Sequence, residues 1–135
     1  MTNTVFVELV TPEKLFFSQD AQSVIVPGSD GDIGVLPHHA PLISTLRAGV
    51  VTIEGESGTS RLVVTEGFAE VTPERCTILA ENAHEIESLS MADLELRIDA
   101  LKADLEKEYH DSVIKEKEKK LSTLHRVLDV LKAHK

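Results

Sequence analysis

Tryptophan is absent from this 135-residue sequence, and aromatic residues together make up only 4% of it. The core must therefore be built from valine, isoleucine, leucine and alanine, which suits closely packed strands better than an aromatic-lined ligand pocket. The single cysteine, Cys76, excludes an intrachain disulfide. No run approaches the roughly 20 apolar residues that a membrane-spanning helix needs. We therefore expect the chain to meet a membrane only through other proteins.

Glycine and proline are also missing from one part of the chain. All seven glycines and all five prolines lie before Glu87. In that part, short β-branched runs alternate with turn signals about every 8–12 residues, which is typical of a sandwich or barrel. The predicted strands are 5–10, 21–26, 50–54, 60–65, 68–72 and 76–80. Residues 1–87 are therefore predicted to form an all-β sandwich or barrel domain.

Residues 88–135 have the period of helices instead. Ser90 and Asp93 have the spacing of a capping box at a helix start. One apolar stripe follows at three- and four-residue spacing: Met91, Leu94, Ile98, Leu101 and Leu105. The pattern breaks at 109–112, where Asp111 or Ser112 is expected to cap a second helix. Its stripe is Ile114, Leu121, Leu124, Leu128 and Leu131. The prediction is an antiparallel α-helical hairpin, with the domain boundary at 86–89.

Charge distinguishes the same two parts. The net charge of −9 argues against nucleic-acid binding by the whole chain. Within residues 112–135, however, seven basic residues outnumber three acidic ones, a net +4 that leaves −13 for the remainder. A basic tail on an acidic body predicts that the two parts have different roles.

Residues able to support catalysis do not cluster. Of six histidines, only His38 and His39 are adjacent, and none pairs with another ligand at convincing metal-binding spacing. The glycines at 28, 31 and 34 suggest a phosphate loop, but Asp30 and Asp32 lie inside it and would repel an anion. We predict a tight turn there, with no catalytic residue, bound metal or cofactor.

Residues 27–42 combine three glycines with three prolines. Glycines permit unusual backbone angles and prolines stiffen turns, so the segment is predicted to be rigid. Two interpretations remain equally open on physical grounds. It is either a complicated crossover between strands or a contact surface for a partner.

The same segment resembles the N-terminal signature of the epsilon subunits of F-type ATP synthases, in their bacterial form. The matching positions are Pro27, Gly28, Gly31, Gly34, Leu36, Pro37, His39, Ala40, Pro41 and Leu42. Residues 66–80 are also similar to the strand pair that precedes the helices in that family. The resemblance implies a β-sandwich followed by a helical hairpin, in agreement with the pattern of residues.

The resemblance implies a role as well. The subunit would belong to the central stalk, without an active site, and would couple rotation of the gamma subunit and the c-ring to ATP synthesis. It would lie at the cytoplasmic face of the membrane as a peripheral part of the complex. The residues implied in c-ring and gamma contacts are Asp30, Gly31, Asp32, His38 and His39.

The family further implies a regulatory helix. In many bacterial relatives the hairpin extends and inhibits hydrolysis by reaching the catalytic alpha and beta subunits. The residues expected to favour that state are Lys115, Lys117, Lys119, Lys120 and Arg126. The alternative is a helix whose lysines only solvate its outer face. The family's ATP-binding motif is missing at 89–94, and a similar stretch at 98–103 begins nine residues late with lysine for arginine, so ATP binding is expected to be weak or absent.

Three rival functions stay open at this stage. The chain could be a free-standing β-sandwich adaptor that dimerises through its helical hairpin, which a size measurement would detect. It could be a small metal-dependent hydrolase that uses His38 and His39, which metal analysis would detect. It could bind a membrane surface through its basic helix, although the leucine-only stripe lacks the Trp and Phe expected there.

Overall fold

The computed structural model describes residues 3–134, and the chain divides into two compact units, Met1–Ile86 and Glu87–Lys135. The first unit is one sheet folded into a nearly closed sandwich, so the predicted sandwich or barrel is confirmed. Its strands are β1 (Val5–Val10), β2 (Leu15–Ala21), β3 (Ser23–Gly28), β4 (Gly31–Val35), β5 (Leu42–Leu46), β6 (Gly49–Gly55), β7 (Gly58–Val64), β8 (Gly67–Val71), β9 (Arg75–Ala80) and β10 (Ala83–Glu85).

The strands follow the order β10-β7-β6-β3-β5-β8-β9-β1-β2, and β4 pairs with β3 outside this path. The pairs are antiparallel except β1 with β9, which run parallel. Strands β3 and β5 share only the pair Gly28 and Leu46. This single link lets the sheet bend sharply there, and its far end β2 returns to contact β6.

The core of the sandwich is aliphatic, as the composition predicts. In β1, Val5, Val7 and Leu9 are fully buried and alternate with more exposed residues, the period of a strand with one face inside. Each such side chain contributes about 1.5–3 kcal/mol through burial. Phe16 and Phe17 of β2 pack at the margin of the core and are only partly buried.

Four strands lie outside the predicted runs: β2, β4, β5 and β10. Polar residues make up much of β2, and two glycines weaken β4, so neither has the composition of an isolated strand. Pairing decides their conformation, since β1 aligns with β2 and β3 aligns with β4. Residues 27–42 are therefore not a continuous loop. They contain the end of β3, a turn, the whole of β4 and a second loop.

Cys76 lies in β9 between its partners Val7 and Val71, and its side chain is fully buried. Burial disfavours the thiolate and raises the pKa of the thiol to about 11. The folded chain therefore holds this proton more tightly than the unfolded chain, where the thiol pKa is about 8.5.

This shift predicts a loss of stability at alkaline pH. The contribution of Cys76 is fully present below about pH 8.5 and falls by up to about 1.4 kcal/mol per pH unit towards pH 11. Urea unfolding of the wild type and Cys76→Ala from pH 8 to 10.5 checks it, because alanine cannot ionise. The difference in unfolding free energy between the two proteins should shrink as pH rises. A constant difference would contradict the prediction.

The second unit contains two helices, α1 (Met91–Glu106) and α2 (Asp111–Ala133), which pack against each other as the predicted hairpin. The hydroxyl of Ser90 accepts a hydrogen bond from the Asp93 amide at 3.3 Å, so the predicted cap of α1 is confirmed. Among residues 3–134, neither helix is both long and apolar enough to cross a membrane.

The predicted start of α2 is wrong by one or two positions. Its N-cap is His110, not Asp111 or Ser112, and the His110 side chain makes no capping hydrogen bond. The Glu108 carboxylate instead orders the turn before the helix, because it accepts hydrogen bonds from the Tyr109 and His110 amides.

Candidate partner-binding surfaces

The β3–β4 turn presents two of the predicted contact residues to solvent. Gly28 pairs with Gly31, so Ser29 and Asp30 form the tip of a tight hairpin, as predicted for this glycine-rich stretch. Gly31 has φ of 138°, which a residue with a side chain rarely adopts. Asp30 and Asp32 flank Gly31 and are both exposed. The turn is therefore a narrow acidic projection.

Contacts from the end of β5 hold this turn in place. The Arg47 guanidinium lies 2.6 Å from the Asp32 carboxylate and also donates to the Gly28 carbonyl oxygen. The Ser29 amide donates to the Thr45 carbonyl at 2.9 Å, and the two hydroxyls lie 2.7 Å apart. An exposed ion pair alone adds only about 0.2–1 kcal/mol. Together, however, these contacts fix the position of the turn. No pattern in the sequence pointed to Arg47.

His38 and His39 lie in the loop that follows β4. His38 is exposed with φ of 69°, an uncommon angle for a residue other than glycine, and its amide donates to the Pro73 carbonyl at 2.8 Å. The ring of His39 hydrogen-bonds the Ala40 carbonyl at 2.6 Å through Nδ1. Among residues 3–134, no group of three or more His, Cys, Asp or Glu side chains is placed to hold a metal ion.

The five predicted contact residues do not form one surface. Asp30, Gly31 and Asp32 lie where β4 begins, while His38 and His39 follow its end. A strand of this length spans about 13 Å at 3.3 Å per residue. The histidine loop is tied to the β8–β9 turn at Pro73, whereas the acidic turn is tied to Thr45 and Arg47. The structure thus separates the predicted surface into an acidic turn and a histidine loop.

A further surface was not predicted from the sequence. A row of apolar residues crosses β8, β9, β1 and β2, where neighbouring residues pair in register and their side chains share the outer face of the sheet. In strand order its members are Phe68, Leu79, Val10 and Leu15. Phe68, Leu79 and Leu15 are 45%, 36% and 54% exposed. We call these four residues the apolar row. Contiguous exposed apolar side chains on a folded domain are typical of a binding surface.

The alternation of each strand contains the signal for this row. Phe68 and Leu79 each lie between two inward-facing residues, so strand period alone assigns them to the outer face. Pairing across strands is what joins them into one row, and pairing requires the sheet order. The parallel alignment of β1 with β9 could not be read from a single sequence.

The basic residues of α2 are distributed around the helix. Lys115, Lys119 and Arg126 are spaced four and seven residues apart, which places them on one exposed face. Arg126 also donates to the Ser122 hydroxyl at 3.1 Å. Lys120 is also exposed, but it lies about 100° further round the helix than Lys119. Lys117 is only partly exposed and pairs with Glu108, so the predicted group of five does not form a single surface.

The comparisons with known proteins agree with this architecture. Residues 4–86 match the family described as the ATP synthase delta/epsilon chain, beta-sandwich domain. The ATP synthase epsilon chain of Rhodospirillum rubrum is 48% identical over 74% of this chain and 75% of its own length. That of Rhodospirillum centenum is 42% identical over 97% of this chain and 94% of its own.

Two solved structures share the fold. A chain of the Euglena gracilis mitochondrial ATP synthase structure, which contains OSCP, F1 and the c-ring, superposes with a TM-score of 0.72 at 18% identity. The superposition covers 99% of the present chain and 82% of the Euglena chain. A chain from the central stalk and c-ring of the Tetrahymena thermophila mitochondrial ATP synthase superposes with a TM-score of 0.54 at 14% identity. This match covers 62% of the present chain and 68% of the Tetrahymena chain. Given the family match and these epsilon-chain relatives, the protein belongs to the epsilon chains of the F-type ATP synthase, the non-catalytic subunits of that complex.

Proposed function

We propose that this epsilon chain couples rotation of the gamma subunit and the c-ring to ATP synthesis through separate surfaces of its sandwich. The observation that carries the proposal is the apolar row. A sandwich with a complete aliphatic core has no internal need for Phe68, Leu79 and Leu15 on its outer face. A permanent partner that covers them would remove their apolar area from water, which stabilises the complex by about 25 cal/mol per Å² of area buried.

The gamma subunit is the partner we assign to the apolar row. Torque transmission requires a contact that does not slip, and a broad packed apolar interface supplies one better than exposed ion pairs do. We assign the histidine loop to the stalk contacts as well. His38 and His39 lie beside the β8–β9 turn, at the end of the same strand that carries Phe68.

The c-ring is the partner we assign to the acidic turn. A narrow turn held by Arg47 and Thr45 can reach a neighbouring subunit without losing its shape. Asp30 and Asp32 offer carboxylate oxygens to hydrogen-bond donors and cations on that subunit. The position of the chain would then be peripheral, on the cytoplasmic face of the membrane that contains the c-ring.

Purification of the tagged chain from membranes tests this assignment. Gamma should be recovered with it in equal amount after detergent washing, and c-ring subunits should be recovered when the complex is kept intact. Protease should reach the chain in inverted vesicles but not in intact cells. Recovery of the chain as a self-associated dimer without gamma would favour the adaptor function instead.

We further propose that the exposed basic face of α2 helps to inhibit ATP hydrolysis by meeting an acidic segment of the beta subunit. Lys115, Lys119 and Arg126 share that face, so an extended helix would present three positive charges to one partner. The energy of such contacts falls with ionic strength, since the Debye length is about 8 Å at physiological salt.

Charge reversal should relieve this inhibition. The triple variant Lys115→Glu, Lys119→Glu and Arg126→Glu is expected to raise hydrolysis by the synthase several-fold at low salt, because attraction becomes repulsion. Lys102→Glu on α1, also at an exposed position, is the control for a general charge effect. Steady-state ATPase assays of the reconstituted complexes measure the difference. Unchanged inhibition in the triple variant at low salt would remove the idea.

Weak or absent ATP binding is proposed for the helical unit. Ile98, the first residue of the stretch that resembles the family motif, is buried on α1, and Lys102 stands in place of the arginine. A lysine cannot form the two parallel hydrogen bonds of a guanidinium. Calorimetric titration of the chain with ATP should therefore detect no binding below about millimolar dissociation constants. A micromolar constant would contradict this.

A further inference from the structure

Lys117 interrupts the apolar stripe of α2. The stripe repeats every three or four residues only when position 117 is included, so an apolar residue is expected there. Its other members are Ile114, Leu121, Leu124, Leu128 and Leu131. The Lys117 side chain is only 26% exposed, whereas Lys115 and Lys119 on the opposite face are exposed. A lysine thus occupies the packing seam of the hairpin.

Glu108 is the counter-ion of this lysine. Lys117 Nζ lies 3.4 Å from Glu108 Oε2, while Glu108 Oε1 accepts hydrogen bonds from the amides of Tyr109 at 3.1 Å and His110 at 3.3 Å. The carboxylate therefore joins the turn between the helices to the second turn of α2. The His110 amide, more than any other group, lowers the pKa of this carboxyl, and Lys117 lowers it further.

An uninterrupted apolar stripe is expected to make the hairpin more stable than the one that contains this pair. Replacement of a partly buried ion pair by well-packed apolar residues is often neutral or stabilising. Removal of Glu108 is destabilising, because the Lys117 charge then stays in the seam without its counter-ion. Removal of Lys117 instead leaves Glu108 with its hydrogen bonds from the Tyr109 and His110 amides. Opening of the hairpin would return both charged groups to water. Their desolvation in the closed hairpin therefore offsets part of the stabilisation that the apolar residues of the seam provide.

We propose that the Glu108–Lys117 pair sets the balance between the closed hairpin and the extended form of the helical unit. The role of the extended form in inhibition rests on the proposed function, but the balance itself is a property of the isolated chain. Glu108 holds the hairpin closed when paired. Lys117 makes the closed hairpin easier to open, because a charged side chain in the seam cannot pack as leucine does.

Distance measurement between two spin labels tests the pair without any partner subunit. Leu96→Cys on α1 and Ser122→Cys on α2 provide exposed labelling sites, while the native Cys76 is buried. Glu108→Gln should raise the long-distance population several-fold. Lys117→Met should lower it below the wild-type level, and the double variant should resemble Lys117→Met. Glu106→Gln on α1 and Lys132→Met on α2, both at exposed positions, are the controls and should leave it unchanged.

Amide hydrogen exchange across residues 113–121 provides a second measurement should the long distance be too rare to detect. Exchange there should be faster in Glu108→Gln and slower in Lys117→Met than in the wild type. Equal behaviour of Glu108→Gln and Glu106→Gln in both measurements would overturn the proposal, as would a more open Lys117→Met. If the populations shift but ATPase inhibition does not change, the role of the pair in opening the hairpin would be supported. Only the proposed regulatory function would then be contradicted.

Discussion

Replacement of Gly67 by alanine is expected to abolish folding of the sandwich. A Cβ atom at this position would lie 1.9 Å from the carbonyl oxygen of Leu79 and 2.9 Å from the Cα atom of Ala80. Both are backbone atoms of β9, which is paired on both sides and cannot move away. We expect a loss of about 4 kcal/mol or more, which is enough to unfold a domain near the lower end of the usual 5–15 kcal/mol range.

Gly34→Ala is the matched control for this variant. It is also a glycine in a strand, but a Cβ atom there would have no neighbour within 4 Å. Its unfolding free energy should change by less than about 1 kcal/mol, because the backbone angles suit an L-residue. Urea unfolding followed by circular dichroism measures both variants. A stable Gly67→Ala protein would show that β8 and β9 do not approach as closely as described.

Disruption of the apolar row should weaken binding to gamma by about 100-fold or more, since central apolar anchors often contribute 2 kcal/mol or more each. The variant is Phe68→Glu with Leu79→Glu, which places two charges on adjacent members of the row. Both side chains face outward, so the fold should be retained, and its far-UV spectrum and unfolding midpoint check this. Surface plasmon resonance against immobilised gamma measures the affinity.

Arg61→Glu is the control for the apolar row. It changes the net charge by the same amount, at an exposed position on β7 that is remote in sheet order from Phe68. Its affinity for gamma should stay close to the wild-type value. If the double variant bound as tightly as Arg61→Glu, the apolar row would not be the gamma surface.

The hairpin and the aliphatic core were predictable because local pattern decides them. The stripe of α1 follows from residue spacing, and the Ser90 cap follows from a short motif. Valine-rich runs such as 50–54 become strands almost wherever they are placed. Such features depend on residues close together in the chain.

Features that depend on distant pairing were not predictable. The polar strand β2 exists because β1 aligns with it, and the parallel pair of β1 and β9 joins residues about 70 positions apart. The separation of Asp32 from His39 follows from the course of β4, whose two glycines hide its strand character. One signal was overlooked: the gap at Lys117 in the stripe of α2 marks a charge that needs a partner.

ATP synthesis driven by a proton gradient tests the coupling role most directly. Inverted vesicles that carry a synthase without its epsilon chain should synthesise little ATP, and addition of the wild-type chain should restore synthesis. The Phe68→Glu and Leu79→Glu variant should fail to restore it, while Arg61→Glu should succeed. Equal synthesis with and without the wild-type chain, or full restoration by the double variant, would contradict coupling through the apolar row.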